Sequence, residues 1–247
     1  MASVFLSPST QAYNEYITEG TEKEHMQRLA DAMEPFLDLA GITYGRNDPD
    51  GNVQKSVAMS NEGDWDLHLA LHSNAAPEGQ SGQFQGPLVL YAPGNMAGGK
   101  AAQYVAQAMA DIYPEDGKVV LRPETNLYEL QKTKAPVVFL ETAYHDNPED
   151  AKWIEDATVA IADHLTQALA SYFGLPYARQ DVPHKAVVQV KEGPLNVRRL
   201  PGIEYPKVAQ LQKGDSVVVL RRIPGWSYVR LPGGNAGYAA SGYLRSV

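Results

Sequence analysis

The feature that most constrains this chain is a change of sequence pattern near residue 180. Before that point, apolar runs typical of strands alternate with helical patterns, whereas after it short β-type runs are separated by Gly and Pro turns. The first pattern predicts an α/β fold with a mostly parallel sheet flanked by helices, and the second predicts a small all-β barrel. We therefore predict a domain at residues 1–176, a linker at residues 177–185 and the barrel at residues 186–247.

The formal charge divides at nearly the same place. Residues 1–183 contain 11 Lys and Arg against 26 Asp and Glu, a charge of −15, whereas residues 184–247 contain 10 against 3, a charge of +7. A basic second domain suits an anionic surface such as a cell-wall polymer. Because no groove-reading or base-stacking motif accompanies this charge, we expect no nucleic-acid partner.

The composition excludes several classes of protein. The chain has no Cys, which excludes thiol catalysis and disulfides and leaves His and carboxylates as ligands for a transition metal. No run approaches the ~18 consecutive apolar residues of a membrane-spanning helix, so we expect no membrane insertion. Residues 1–6 lack the basic start and long apolar stretch of a secretory signal, and we expect no signal peptide there.

Two long helices have recognisable ends in the sequence. Thr21 and Glu24 have the spacing of a capping box, apolar residues then recur at helical spacing, and Gly41 ends the helix. Asn147 caps a longer helix that ends at Gly174. Strands are predicted at residues 2–6, 42–44, 66–72, 87–91 and 135–141, and shorter helices at residues 55–61 and 100–112.

Polar residues collect where three of these strands end. Residues 7–11, residues 72–74 and Glu141 follow strands, and Glu22 stands beside them in the first turn of the first helix. Functional groups gather beyond the carboxyl ends of parallel strands, so His72 and Glu22 could hold zinc while Glu141 serves as a general base. A structural interpretation is equally open, with His72 a hydrogen-bonded strand-end histidine and Glu22 a carboxylate favoured by the helix dipole.

Over residues 2–174 these segments resemble the zinc-dependent N-acetylmuramoyl-L-alanine amidases of the amidase type 3 group. The run Leu71-His72-Ser73-Asn74-Ala75 is similar to the family strand whose His ligates zinc. The run from Pro136 to Glu141, followed by Tyr144 and Asn147, is similar to the segment that carries the catalytic Glu. Glu22 resembles the ligand Glu at the start of the first helix.

The resemblance implies a peptidoglycan hydrolase that cleaves the amide between N-acetylmuramic acid and L-alanine. It implies that zinc activates the attacking water, that Glu141 is the catalytic base, and that the protein acts in the cell wall or outside the cell. Asn74 would line the substrate groove together with the Gly-rich loop at residues 79–86. The alternative is a non-catalytic peptidoglycan-binding protein whose metal site is degenerate.

The sequence departs from the family at one zinc ligand, because Thr10 falls where the family has its other His. His25 lies one helical turn from Glu22, a rise of ~4.5 Å, so the pair could bind one ion, although a buried packing role is also open. His145 lies in the loop beyond Glu141 and could be a ligand, an acid or an oxyanion stabiliser, or else a turn residue that positions the helix cap at Asn147. We exclude His68, since four residues of strand place it ~13 Å from His72.

The tail resembles the bacterial Src-homology-3-like domains of wall-associated proteins. The resemblance rests on Leu195-Asn196-Val197-Arg198, Lys213-Gly214-Asp215, Gly225-Trp226 and Gly237-Tyr238, which follow one another in the family's order. It implies that the tail binds peptidoglycan peptides or an adjacent protein surface. We expect Trp226 to be a core aromatic of the barrel, and Tyr205, Tyr228 and Tyr238 are candidate contacts.

Overall fold

The computed structural model describes residues 1–177, 184–223, 225–232 and 234–247. The chain separates into two compact units, Met1–Tyr177 and Ala178–Val247. Most of the predicted linker lies outside the described residues. Its last two residues, His184 and Lys185, are not linker but strand, because they pair with Val219 and Val218 of a neighbouring strand.

The first unit is an α/β fold whose sheet has the order β2-β1-β3-β6-β4-β5. Its strands are β1 (Ser3–Pro8), β2 (Thr43–Arg46), β3 (Leu67–Asn74), β4 (Leu88–Tyr91), β5 (Val120–Pro123) and β6 (Val137–Tyr144). Its helices are α1 (Glu22–Ala40), α2 (Val53–Glu62), α3 (Met96–Ala110), α4 (Tyr128–Lys132) and α5 (Pro148–Phe173).

The sheet is mixed rather than parallel throughout. Strands β2, β1, β3 and β6 run parallel, as predicted, but β4 is antiparallel to β6 and β5 follows the direction of β4. The loop between β3 and β4 contains no crossover helix, and a connection of that kind brings the next strand back in the opposite direction. The parallel half of the sheet is the half that carries the predicted site.

Both predicted long helices are confirmed together with their caps. Thr21 and Glu24 make the reciprocal hydrogen bonds of a capping box, and Gly41 ends α1 in the left-handed conformation with φ of 67°. The side chain of Asn147 accepts from the first turn of α5, and Gly174 ends it. Helices α1 and α3 both pack against α5, over a sheet whose central strand β3 is almost wholly buried. None of the described helices is both long enough and apolar enough to cross a membrane.

Two short elements, β5 and α4, were not predicted. They have four and five residues, too few for a period of two or of 3.6 to be visible in the sequence. Helix α4 nevertheless buries Glu129 and Leu130 under the sheet. This short helix therefore brings a carboxylate into the interior of the first unit.

The second unit is an antiparallel sheet with the order β13-β7-β10-β11-β12-β8-β9. Its strands are β7 (His184–Val188), β8 (Leu195–Arg198), β9 (Lys207–Leu211), β10 (Ser216–Ile223), β11 (Trp226–Arg230), β12 (Ala236–Ala240) and β13 (Leu244–Ser246). Among the residues described in this unit no pairing joins β9 to β13, so the predicted barrel is here an open sheet around an aliphatic core.

The aromatic residues of this sheet are arranged differently from the prediction. Trp226, expected in the core, is only partly buried, because the alternation of β11 gives the inward positions to Ser227 and Val229. Tyr238, a candidate surface contact, is fully buried and contacts Tyr228 with ring centroids 5.2 Å apart. Tyr238 therefore fills the core and does not offer its ring to a ligand.

Candidate functional site

The carboxyl ends of β1, β3 and β6 meet at one edge of the sheet. Pro8 pairs with Leu71, and His72 pairs with Glu141, so the residues after each strand lie side by side. A cavity of about 710 Å³ opens there. Of the residues predicted for the site, the cavity is lined by Glu22, His72, Glu141, Thr10, Asn74 and His145.

Glu22 and His72 contact each other directly in this cavity. Oε1 of Glu22, a fully buried residue, lies 2.8 Å from Nδ1 of His72, and Asn14 donates to Oε2 at 2.6 Å. Burial opposes the ionisation of Glu22, but the hydrogen bond and charge of His72, with further bonds from Asn14 and Ser9, outweigh it. The pKa of Glu22 is therefore below its ordinary value.

The other ring nitrogen of His72 faces a second buried carboxylate. Nε2 lies 3.1 Å from Oε2 of Glu129, and the ring stacks on Phe139 with centroids 4.4 Å apart. Burial favours the neutral imidazole, but the two flanking carboxylates, Glu129 and Glu22, prevail and raise the pKa of His72 well above its ordinary value. The ring is thus held between two anions and a flat aromatic face.

Glu129 is the functional-site residue that sequence reasoning missed. Its carboxylate is 2% exposed, accepts from the Ser7 hydroxyl at 2.6 Å and lies 3.1 Å from Nε2 of His68 as well as from His72. Burial opposes its charge, yet its hydrogen bonds to the two histidines hold its pKa well below the ordinary value. The available signal was the pair of histidines four residues apart on one strand face, a spacing that a single carboxylate can bridge.

Glu141 differs from the other two glutamates because one of its oxygens has no partner. Its Oε2 is buried and makes no hydrogen bond. Burial raises its pKa to about 7; the charge of His72 opposes this shift, and the charges of Glu22 and Glu129 reinforce it. A half-buried carboxylate with one buried, unpartnered oxygen and a pKa of about 7 is suited to exchange a proton at neutral pH.

The remaining predicted histidines have other partners. Nε2 of His25 lies 2.8 Å from the backbone oxygen of Glu19, its ring stacks on Tyr16 at 4.0 Å, and it is not among the residues that line the cavity. The helical spacing that suggested a shared ion thus places His25 beside Glu22 in the helix but turns its ring to another contact. His145 lines the cavity, with Nδ1 3.0 Å from the carbonyl oxygen of Ser73.

Gln11, rather than Thr10, is the residue of the β1 loop that approaches His72. Its amide nitrogen lies 3.4 Å from Nδ1 of His72, and its amide oxygen accepts from the Tyr13 hydroxyl at 2.7 Å. The amide of Gln11 therefore lies beside the same nitrogen of His72 that faces Glu22.

The predicted Gly-rich loop lies away from these residues. No residue of the 79–86 segment lines the cavity. Asn147 donates to the carbonyl oxygens of Gly82 and Phe84, and Phe84 stacks on Tyr144. The loop is therefore attached to the start of α5, and Asn74 lines the cavity without it.

Two family models match the chain, one in each unit. Residues 11–171 match the family described as N-acetylmuramoyl-L-alanine amidase, and residues 193–245 match the bacterial SH3 domain. The chain belongs to the N-acetylmuramoyl-L-alanine amidase family. It carries a bacterial SH3 domain after the amidase domain.

Solved amidases share the fold of the first unit at low sequence identity. The catalytic domain of CwlV from Bacillus (Paenibacillus) polymyxa var. colistinus is 15% identical with a TM-score of 0.61, covering 71% of this chain and 100% of its own. Ami1 from Mycobacterium smegmatis is 16% identical with a TM-score of 0.60, covering 70% and 97%. An amidase from Clostridium difficile 630 is 18% identical with a TM-score of 0.60, covering 70% and 97%. No curated protein sequence matches the chain.

Two side chains of this amidase, Glu22 and His72, are of types that bind zinc. Zinc accepts a carboxylate oxygen and an imidazole nitrogen, and Glu22 and His72 present one of each 2.8 Å apart at the cavity wall. In the parts of the chain that the structure describes, no three His, Cys, Asp or Glu residues are grouped as metal ligands. The other polar side chain beside Nδ1 of His72 is that of Gln11, whose amide nitrogen lies 3.4 Å away.

Proposed function

We propose that the first unit hydrolyses the amide between the lactyl group of N-acetylmuramic acid and L-alanine, with zinc held by Glu22 and His72. The observation that carries this proposal is the convergence of Glu22, His72 and Glu141 on one cavity, with the first two in contact at 2.8 Å. Zinc bound there would supply a Lewis acid for the scissile carbonyl and lower the pKa of the attacking water.

Glu141 is the general base in this proposal. Its unpartnered Oε2 takes a proton from the attacking water as the water oxygen forms a bond to the carbonyl carbon. The same oxygen then returns the proton to the alanine nitrogen as the carbon–nitrogen bond breaks. The free acceptor and the pKa of about 7 support this role, since both protonation states are accessible near neutral pH.

We assign the third donor position to Gln11. Its amide nitrogen is 3.4 Å from Nδ1 of His72, and a half-turn of the amide, which now accepts from Tyr13 through Oε1, would direct that oxygen to the same point. Thr10 and His145 remain cavity-lining residues in this proposal, and Asn74 offers an amide to the glycan or the peptide. His25 is left outside the donor set, because Nε2 is bonded to the Glu19 carbonyl.

The second unit binds peptidoglycan in this proposal. Its match to the bacterial SH3 domain supports attachment to the wall, as does the charge of +7 on residues 184–247, from 10 basic and 3 acidic residues, which suits an anionic wall polymer. The place of action is then the cell wall or the extracellular space.

The deciding experiment combines metal analysis with turnover on purified peptidoglycan. The full chain, prepared without chelator, should contain stoichiometric zinc. It should also release peptides that begin with L-alanine from the N-acetylmuramic acid of the glycan. His72→Ala should lose both properties. His164→Ala is the matched control, because this histidine lies on α5 with Nδ1 beside the Ala160 carbonyl, and it should retain both.

One outcome would replace the hydrolase with a binding protein. A full chain that holds no zinc and releases no peptide, even after zinc is added, but that is retained on purified wall would be the non-catalytic peptidoglycan-binding alternative.

A further inference from the structure

The sheet of the second unit has an aliphatic core on one face and basic side chains on the other. On β7, Ala186 and Val188 are buried in the core, and the alternation of the strand turns Lys185 to the opposite face. Val218 of β10 pairs with Lys185 on one side and with Arg230 of β11 on the other. Residues directly opposite each other in a ladder share a face, so Lys185 and Arg230 lie on the same outer face.

Arg245 extends this outer face onto the edge strand β13. It pairs with Val187, which lies two residues from Lys185 and therefore on the same face. Strand spacing places the Cα atom of Lys185 about 10 Å from that of Arg230, with one strand between them. Arg245 lies diagonally opposite Lys185, at about 7–8 Å. The three cations thus follow one another across four neighbouring strands.

The side chains of these three residues are available to a ligand. Lys185, Arg230 and Arg245 are all exposed. None of them forms an ion pair with another of the residues that the structure describes. Their charges are therefore not compensated by a described carboxylate of the chain itself.

The acidic residues of this part of the chain all lie outside its strands. Glu192, Glu204 and Asp215 occupy the connections that precede β8, β9 and β10. A peptide that carries amino groups as well as carboxylates would therefore meet like charges on the outer face without a carboxylate to pair with them. A ligand that is anionic along its whole length meets only opposite charges there.

We propose that the basic outer face, made of Lys185, Arg230 and Arg245, binds a phosphodiester-linked polymer of the cell wall. This inference rests on the proposed attachment of the second unit to the wall, and it names the surface and the chemistry of the ligand. A phosphodiester backbone carries one negative charge per repeat, so successive phosphates can contact cations that are spread over several strands. The guanidinium groups of Arg230 and Arg245 match pairs of phosphate oxygens, and Lys185 adds a point charge.

The test compares two triple variants of the full chain that lose the same charge. The first combines Lys185→Ala, Arg230→Ala and Arg245→Ala. The matched control changes to Ala three exposed lysines that lie outside β13, β7, β10 and β11, namely Lys191, Lys207 and Lys213.

Sedimentation with purified wall at one ionic strength measures the dissociation constant of each variant. The first variant should bind about tenfold more weakly, as expected for the loss of three exposed charge contacts. The control should bind nearly as tightly as the unaltered chain. Equal losses in the two variants would show that overall charge alone determines binding, and would overturn the assignment of this face.

The unaltered chain provides a second measurement that does not depend on a variant folding. Cold hydrofluoric acid cleaves the phosphodiesters of purified wall and leaves the peptidoglycan, and the chain should bind treated wall as weakly as the first variant binds untreated wall. Equal binding to treated and untreated wall would overturn the phosphodiester assignment but leave attachment to peptidoglycan in place. A chain that binds neither wall would overturn the proposed attachment together with this inference.

Discussion

Oε1 of Glu22 and Nδ1 of His72 lie 2.8 Å apart although 50 residues separate them in the chain. The contact joins the first residue of α1 to the carboxyl end of β3. Thr21 fixes the start of α1 through its capping box, and pairing of β3 with β6 fixes the height of His72. The geometry of the donor pair therefore depends on a helix cap and a strand register, both of which the rest of the first unit stabilises.

Replacing Glu141 with Gln should abolish turnover without removing zinc. The amide cannot accept the proton of the attacking water, and general base catalysis typically contributes about 10²–10⁴-fold. The measurement is release of peptide from purified peptidoglycan together with zinc per chain. Glu149→Gln, an exposed carboxylate just beyond the same strand, is the matched control and should keep full activity. Retained turnover in Glu141→Gln would show that another group takes the proton.

Replacing Gln11 with His should strengthen zinc binding. Imidazole is a common zinc ligand and an amide is not, so we expect a gain of about tenfold, or about 1.4 kcal/mol, in zinc affinity. Thr10→His tests the neighbouring position and should give a smaller gain, because it is Gln11 that lies within 3.4 Å of His72. Competition titration with a chelating dye measures both. A larger gain from Thr10→His would place the third donor at residue 10.

Replacing Asn147 with Ala should destabilise the first unit by about 0.5–2 kcal/mol, which is the range for losing a helix N-cap. Its side chain caps α5 and also donates to the carbonyl oxygens of Gly82 and Phe84. Urea unfolding measures the loss, and limited proteolysis should show faster cleavage within residues 77–86. Asn95→Ala removes only the cap of α3 and should leave that loop as resistant as before. Equal cleavage in both variants would contradict the anchoring role.

Retention of the full chain on purified wall should decrease as salt increases. Residues 184–247 carry 10 basic and 3 acidic residues. The Debye length, over which charges act on each other, shortens from about 10 Å at 0.1 M to about 3 Å at 1 M ionic strength. A sedimentation assay across this range measures the bound fraction. Retention that is independent of salt would show that the second unit recognises the wall through uncharged contacts.

The sequence predicted the features that repeat or that have marked ends. The ends of helix α1 were predicted from Thr21 and Gly41, because helix caps have defined residue types. The proximity of His72 and Glu141 followed from the parallel arrangement of β3 and β6, whose carboxyl ends lie at the same edge of the sheet. Antiparallel β4 was missed because the direction of a strand depends on its connection rather than on its own residues.

The features that sequence reasoning did not reach depend on contacts between distant segments. Glu129 lies in a helix of five residues, where no periodicity indicates which side is buried. His25 has the spacing expected of a second ligand on α1, but spacing gives the position of a residue and not the direction of its ring, which the Glu19 carbonyl determines. Likewise, the identity of Trp226 suggested a core position that the alternation of β11 assigns to its neighbours.

The hydrogen bond from Ser7 to Glu129 spans 122 residues of sequence. During synthesis, β1, α1 and β3 leave the ribosome well before α4 and β6 exist, so the cavity has neither Glu129 nor Glu141 until most of the first unit has been translated. Nascent chains and early truncation products are therefore incapable of the proposed reaction. For a hydrolase directed at a structural polymer, the order of the elements along the gene thus delays activity until folding of the unit is complete.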